Sequence, residues 1–166
     1  MKINKLAQII KLSSGKMLSN KNRIKGTIPV YGGNGITGYH NEGFIHTPTI
    51  VIGRVGEYCG SVHLTESEAW ITDNALYATN YLLDINKKFL FYVLKQSNLN
   101  QYANRTGQPN ISQATIANVK IPYPNIEEQN NIVSEIESYE SKIAAAKAVM
   151  AGCAERKKKI LEKWLR

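Results

Sequence analysis

A heptad of mostly apolar residues dominates the C-terminal part of this chain. Its members follow one another at alternating steps of four and three from residue 132 to residue 164. They are Ile132, Ile136, Tyr139, Ile143, Ala146, Met150, Cys153, Lys157, Ile160 and Trp164, and we call this set the seam. Such spacing is typical of a coiled coil. Because forty helical residues extend about 60 Å, a seam of this length requires a second helix to cover it.

Three members of the seam depart from a simple apolar pattern. Lys157 is charged, and Ala146 and Cys153 are small. The small residues would permit close approach of a partner helix or contact with a further protein. A helix that only folds back against its own domain remains the alternative interpretation.

A segment that disfavours helix precedes this part of the chain. Residues 121–125 contain two residue–proline steps, which disfavour helix. Asn125 is well placed as an N-cap, and Glu127 and Glu128 follow in the first turn, where the helix dipole favours acids. We therefore predict a globular domain over residues 1–125 and a long helix over residues 126–166.

Positive charge is concentrated in the first domain. The chain has a formal net charge of +8. Residues 1–125 hold 13 Lys and Arg against 6 Asp and Glu, whereas residues 126–166 hold 8 against 7. This distribution suits a polyanion partner, since neutralised phosphates release condensed counterions. A solvated basic surface kept for solubility predicts the same composition.

The remaining composition points to a globular cytoplasmic protein. A hydrophobic fraction of 43% is enough for a packed core. No apolar run approaches the roughly 20 residues that span a bilayer, and the first 25 residues lack the apolar stretch of a secretory signal. The two cysteines, Cys59 and Cys153, form no disulfide framework, which fits a reducing compartment.

Short strand and helix patterns are mixed in the first domain without a βαβ rhythm. Strands are predicted over residues 49–53, 60–64, 68–72 and 75–83, and helices after the capping residues Asn86 and Ser112. We therefore predict an α+β fold with a twisted mixed or antiparallel sheet and short helices, followed by the long helix.

The chain offers no recognisable catalytic, metal-binding or cofactor-binding set. The glycine-rich residues 31–39 lack both the Lys-Ser/Thr pair of a P-loop and the helix that follows a dinucleotide fingerprint. The Asn34-Gly35 pair there predicts a β-hairpin instead. Three histidines and Cys59 have no metal-ligand spacing, and Cys59 itself is placed at the start of a strand. We expect no catalytic residue, no metal and no cofactor.

Side chains suited to reading bases are better represented. The polar loop over residues 104–113 is rich in Asn, Gln and Arg, which make paired hydrogen bonds to adenine and guanine edges. Arg54 stands between glycines after a hydrophobic strand. Asn34 and Tyr39, with Tyr31 and His40, flank the tip of the predicted hairpin and could present polar groups to DNA. The same residue types also populate loops for capping and turn formation, so this interpretation competes with a structural one.

Several segments, in order along the chain, resemble the specificity subunits of type I restriction-modification enzymes. They are residues 6–16 (with SSGK), 28–39 (IPVYGGNGITGY), 51–60 (VIGRVG and Gly60), 70–75 (WITDNA), 107–112 (GQPNIS) and 121–129 (IPYP and EQ). The series covers nearly the whole chain. The resemblance implies a target recognition domain that binds a short sequence of double-stranded DNA and has no catalytic activity of its own.

The resemblance also implies partners. The usual subunit has two target recognition domains and two long helices packed antiparallel, whereas this chain has one of each, as a natural half-subunit or as a fragment. A second copy would then supply the missing helix in a two-fold antiparallel coiled coil and read two identical half-sites around an unread spacer. The coiled coil would dock methyltransferase subunits, which carry S-adenosylmethionine, and through them the ATP-dependent restriction and translocase subunit.

Two sets of DNA contacts follow as predictions. Base-reading residues are predicted to be Asn34, Tyr39, Arg54, Arg105, Gln108 and Asn110. Phosphate contacts are predicted to be Lys16, Lys21, Arg23 and Lys25. Structural roles are expected for Gly32, Gly35, Gly38, Asp73 and Pro109. Two other classes remain open: a coiled-coil adaptor whose basic domain binds an acidic protein, and the recognition piece of a fused restriction-methylation enzyme.

Overall fold

The structure, a computed structural model, describes residues 2–165. The chain divides into two compact units after Gln129. The globular unit therefore includes the first turn of the long helix, which begins at Ile126.

Nine strands and four α-helices make up the described chain. The strands are β1 (Lys2–Lys5), β2 (Ile10–Ser14), β3 (Ile28–Gly32), β4 (Gly35–His40), β5 (Ile50–Gly53), β6 (Val62–Leu64), β7 (Trp70–Ile71), β8 (Ala75–Tyr81) and β9 (Lys120–Tyr123). The helices are α1 (Leu6–Ile9), α2 (Lys87–Gln96), α3 (Gln113–Ile116) and α4 (Ile126–Trp164), with a 3-10 turn over Leu99–Tyr102.

The strands form three small sheets. A four-stranded antiparallel sheet has the order β2-β8-β5-β6, and a three-stranded sheet has the order β4-β3-β7 with β3 and β7 parallel. Strand β1 pairs with β9 in a separate ribbon. The predicted α+β fold with mixed and antiparallel sheets and a long C-terminal helix is confirmed.

The core includes a buried cluster of Tyr31, Val51, Ala69, Ile71 and Ala75, which joins the four-stranded and three-stranded sheets, and it also takes in the buried face of α2. All four residues of β5 are buried, as expected for a β-branched run at the centre of a sheet. On α2, Phe89, Leu90 and Leu94 are buried at helical spacing. The strand and helix patterns that carried the sequence prediction are therefore those that form the core.

The predicted helix caps are confirmed. The side chain of Asn86 accepts hydrogen bonds from the backbone N–H groups of Lys88 and Phe89. Ser112 accepts one from Thr115, and Asn125 Oδ1 accepts one from Glu128 N at 2.8 Å. These bonds satisfy N–H groups that a helix leaves without an internal partner.

The start of α4 is fixed by a buried amide. Gln129 is fully buried and donates from Nε2 to the carbonyl of Pro124 at 2.9 Å. Its Oε1 accepts from the backbone N–H of Asn86 at 2.9 Å. One side chain therefore ties the first turn of α4 to the cap of α2 and to the strand end before it.

Two features of the globular unit differ from the sequence expectation. Cys59, predicted to start a strand, is a buried side chain within a turn, and β6 begins only at Val62. The strands β1 and β2 had no predicted counterpart. Their partners β9 and β8 are distant in sequence, so no local pattern announces the pairing.

The seam is exposed over most of α4. Ile132 and Ile136 are half-buried, whereas the members from Tyr139 onward are exposed. Met150 is 71% exposed and Trp164 is 82% exposed. Among residues 2–165, no helix is both long and apolar enough to cross a membrane.

Candidate nucleic-acid interface

The glycine-rich segment forms the predicted hairpin. Gly32 pairs with Gly35, so the connecting loop is Gly33-Asn34, and Asn34 is exposed at its tip. Gly35 has a φ of 90°, in the left-handed region that favours glycine. The segment thus runs from strand to strand. A phosphate-cradling loop must instead lead into a helix, so this segment is not one.

The hairpin tip packs against the end of β5. The hydroxyl of Ser61 donates to the carbonyl oxygen of Gly33 at 2.8 Å. A Cβ on Gly53 would fall 2.0 Å from that same oxygen, so only glycine permits this approach. Asn34 and Arg54 are consequently carried on neighbouring loops.

The polar loop over residues 104–110 packs against the loop that follows β5. Its ends pair through reciprocal backbone hydrogen bonds between Asn104 and Asn110 at 2.8 and 3.0 Å. The N–H of Ile111 donates to the carbonyl of Arg54 at 2.8 Å, and the N–H of Gly56 donates to the carbonyl of Pro109 at 2.9 Å. Main-chain bonds therefore fasten this loop to the loop that follows β5.

Both arginines in this region are held by neutral partners. Arg54 Nη1 donates to Ser14 Oγ at 3.0 Å, and Arg105 Nη2 donates to Asn100 Oδ1 at 2.6 Å. Asn100 Nδ2 in turn donates to the carbonyl of Cys59 at 2.8 Å. These bonds orient the guanidinium groups while leaving other N–H donors for a ligand.

The structure brings five of the six predicted base-reading residues onto three joined loops. We call this set the loop cluster, and it comprises Asn34, Arg54, Arg105, Gln108 and Asn110. Tyr39 is the exception. It lies near the other end of β4, about 16 Å along an extended strand from Asn34, and is 54% exposed.

The predicted phosphate contacts are spread over the segment between β2 and β3. Lys16 follows the end of β2, with its Nζ 4.4 Å from the centre of the Phe44 ring. Lys21 and Lys25 are exposed. Arg23 is half-buried and donates from Nη1 to the carbonyl of Thr37 at 3.1 Å, so its first visible role is to fasten this segment to β4.

A supporting group that the sequence did not single out lies behind the hairpin tip. Because the one proton of the Ser61 hydroxyl is donated to Gly33, the contact of 3.3 Å from His63 Nε2 requires the imidazole to donate. Burial, and then the charge of Lys95, lowers the pKa of His63. A neutral His63 therefore supports Ser61, an arrangement for which the local sequence has no signal.

The described residues contain no metal-type cluster. No group of three or more His, Cys, Asp or Glu side chains within residues 2–165 is placed to hold a metal ion. The chemistry that the loop cluster does offer is hydrogen bonding by amides and guanidinium groups.

The sequence profile of the type I restriction modification DNA specificity domain matches residues 1–150. The chain is 30% identical over 165 residues to the specificity subunit of the type I restriction enzyme EcoprrI from Escherichia coli, covering 95% of this chain and 41% of that protein. It is 28% identical over 163 residues to the specificity subunit of MjaVIII from Methanocaldococcus jannaschii, covering 96% and 32%.

Solved structures share the fold. The S subunit of a type I restriction-modification system from M. genitalium superimposes with a TM-score of 0.76 at 21% identity, covering 86% of this chain and 40% of that chain. The HsdS subunit from Thermoanaerobacter tengcongensis gives 0.61 at 18% identity, covering 87% and 38%. The fold is thus that of type I specificity subunits.

The chain belongs to the family of type I restriction modification DNA specificity domains. It spans about two fifths or less of the length of the specificity subunits that it matches.

Proposed function

We propose that this chain recognises a short sequence of double-stranded DNA as a half-length, non-catalytic specificity subunit of a type I restriction-modification enzyme. The observation that carries the proposal is the loop cluster. Five side chains able to make paired hydrogen bonds with base edges lie on three joined loops. Main-chain bonds join the loop after β5 to the loop over residues 104–110, and the Ser61 hydroxyl joins the hairpin tip to the same region. Rigidly positioned amides and guanidinium groups are what direct readout in the major groove requires.

Charge supports the same proposal. The globular unit carries most of the net positive charge, and Lys16, Lys21 and Lys25 expose their side chains next to or beyond β2. Phosphate contacts by such residues fix the position of a protein on DNA, whereas contacts to base edges supply sequence preference. In this division of roles, the basic segment holds the backbone and the loop cluster reads the bases.

The assembly we propose follows from the exposed seam. Two copies pair through α4 and place one globular unit, which we call the recognition unit, at each end. The pair then reads a target of two identical half-sites around an unread spacer. Methyltransferase subunits dock on the paired helices, and the restriction and translocase subunit joins through them. The names of the relatives, which are specificity subunits of type I restriction enzymes, support this part of the proposal.

The decisive experiment is a selection from a pool of random duplexes with the purified chain, followed by sequencing of the retained DNA. We expect enrichment of two short inverted repeats at a fixed distance. The selection should be repeated with a cognate methyltransferase subunit, which strengthens binding if the assembly is as proposed. Asn34→Ala should alter the enriched bases, whereas Asn41→Ala, an exposed asparagine outside the loop cluster, should leave them unchanged.

The outcomes separate the competing functions. Absence of any preferred sequence in both selections would reject DNA recognition and favour a coiled-coil adaptor that binds an acidic protein. A preferred sequence whose recognition is indifferent to a methyltransferase subunit would favour the recognition piece of a fused restriction-methylation enzyme.

A further inference from the structure

The charges of α4 are segregated along its length. Residues 126–141 contain five Glu and no Lys or Arg, whereas residues 142–166 contain eight Lys and Arg and two Glu. The helix dipole favours acids in the first turn and bases in the last turn, but its influence ends there. The charges in the middle of the helix therefore need another explanation. Two such helices repel in parallel and attract in antiparallel orientation.

The apolar stripe of the same helix lacks a cover over its second half. Ile143, Met150, Ile160 and Trp164 are between 54% and 82% exposed. Side chains of this size in one row along an exposed helix are typical of an interface. Charge and exposure together point to a second copy of this chain as the occupant.

Matching the seam to itself allows only a few registers, each one heptad apart. In an antiparallel pair, every seam residue of one helix faces a seam residue of the other. Cys153 reports the register directly, because it faces Ile136, Ile143 or Met150 of the second copy in the three registers with the largest overlap.

The register in which Cys153 faces Ile143 covers the whole seam. Its layers are Ile132 on Trp164, Ile136 on Ile160, Tyr139 on Lys157, Ile143 on Cys153 and Ala146 on Met150, each formed twice. The two-fold axis then passes near residue 148, midway along the seam. A shift of one heptad in either direction leaves seam residues at one end without an opposite member.

The same register accounts for the charged member of the seam. Lys157 would lie over the ring of Tyr139 of the second copy, with Glu140 of that copy beside it, which suits an ammonium on a long apolar stem. Glu135 would lie opposite Lys163. In the register with Met150, Lys157 would instead meet Ala146 and the like charge of Lys147.

The register with Ile136 is the stronger competitor. It would place Glu135 near Arg156 and Glu140 near Lys147 without a like-charge pair on the flanks, whereas the register with Ile143 sets Lys142 near Arg156 and the two copies of Lys147 near each other. The register with Ile136 leaves Ile160 and Trp164 beyond the seam of the second copy, however. Exposed ion pairs contribute less than burial of large apolar side chains, so coverage decides between the two.

We propose that two copies of this chain pair antiparallel through α4 in the register that sets Cys153 of each against Ile143 of the other. This inference rests on the dimer in the proposed function and defines its geometry. Each recognition unit is joined to the first turn of its helix. The register therefore places the two Ile126 positions about 66 Å apart, at 1.5 Å per residue over the 44 residues between them.

Disulfide trapping tests the register with the native cysteine as one partner. Ile136→Cys, Ile143→Cys and Met150→Cys are each oxidised mildly in the full chain, and covalent dimer is measured on a non-reducing gel. A disulfide requires Cα atoms within about 7 Å, so we expect about tenfold more dimer from Ile143→Cys than from the other two variants. Adding Cys153→Ser to each variant should abolish the product, which identifies the bond.

Every outcome bears on the proposal. Preferential trapping by Ile136→Cys or Met150→Cys would overturn this register, as would a dimer in light scattering that none of the three variants traps. A chain that stays monomeric in light scattering up to high micromolar concentration would overturn the pairing altogether. The duplex selection measures base preference separately, so recognition can stand while the dimer geometry fails.

Discussion

The hydroxyl of Ser61 lies 2.8 Å from the carbonyl oxygen of Gly33 and donates a hydrogen bond to it. This bond joins the start of β6 to the tip of the β3–β4 hairpin, 28 residues earlier in the chain. His63 donates to the same hydroxyl from behind. The position of Asn34, at the exposed end of the hairpin, therefore depends on two successive hydrogen bonds, from His63 to Ser61 and from Ser61 to Gly33. Neither Ser61 nor His63 is a predicted DNA contact.

Ser61→Ala should weaken DNA binding although Ser61 reads no base. Loss of one partly buried hydrogen bond costs about 0.5–1.5 kcal/mol of unfolding free energy and frees the hairpin tip. Urea unfolding should show this modest loss, and duplex titration should show weaker binding to the selected sequence. Ser67→Ala, an exposed serine, is the matched control, and an equal loss of affinity there would contradict the argument.

Gly53→Ala should be far more damaging than another Gly→Ala change in the same chain. Its new Cβ would meet the carbonyl oxygen of Gly33 at 2.0 Å, so the hairpin must move. We expect a loss of about 1–3 kcal/mol from this overpacking, measured by urea unfolding. Gly152→Ala, on α4, meets nothing within 4 Å and should stabilise the helix by up to about 1 kcal/mol.

Gln108→Ala and Lys21→Ala should separate base reading from phosphate contact. Loss of a paired base contact should relax the preference at one target position by about 1–3 kcal/mol. Loss of a phosphate contact should weaken all sequences alike and reduce the slope of affinity against salt by about 1. Titrations of cognate and mismatched duplexes at several salt concentrations measure both. An unchanged sequence preference in Gln108→Ala would remove that residue from the reading set.

Stability should fall in mild acid because of His63. Burial lowers the pKa of His63 in the folded chain, so the unfolded chain binds more protons between the two pKa values. The unfolding free energy is therefore highest above the ordinary histidine pKa of about 6.5. It decreases as the pH falls below that value towards the lower pKa of His63 in the folded chain. Urea unfolding at a series of pH values should show this step.

His63→Gln should flatten that pH dependence, since the amide can still donate to Ser61 but does not titrate. His46→Gln should retain it, because His46 is 70% exposed. A step that persists unchanged in His63→Gln would assign it to another group.

Local signals in the sequence predicted much of the fold. The caps Asn86, Ser112 and Asn125 act within one helical turn, so the residues that decide them are adjacent in sequence. The buried strand β5 and the hairpin tip at Asn34 are likewise determined by neighbouring residues. The seam was visible because its spacing extends over ten members.

Features that depend on distant partners could not be predicted in the same way. Strand β1 pairs with β9, from the opposite end of the globular unit, and no pattern around Lys2 identifies that partner. The choice of candidate DNA contacts had the same limit. It grouped Tyr39 with Asn34 because both flank one hairpin, although the strand between them separates the two side chains.

The way the three recognition loops are held bears on how this protein could change over evolution. Two of the loops are joined by main-chain groups of Arg54, Pro109 and Ile111, and almost any residue supplies the same N–H and carbonyl. The third is held at the carbonyl of Gly33 by Ser61, which lies outside the loop cluster. Substitutions at Asn34, Gln108 or Arg105 would then replace the exposed chemistry without removing the bonds that position it. A new target preference can arise by point mutation on an intact scaffold, with no intermediate that must refold its loops.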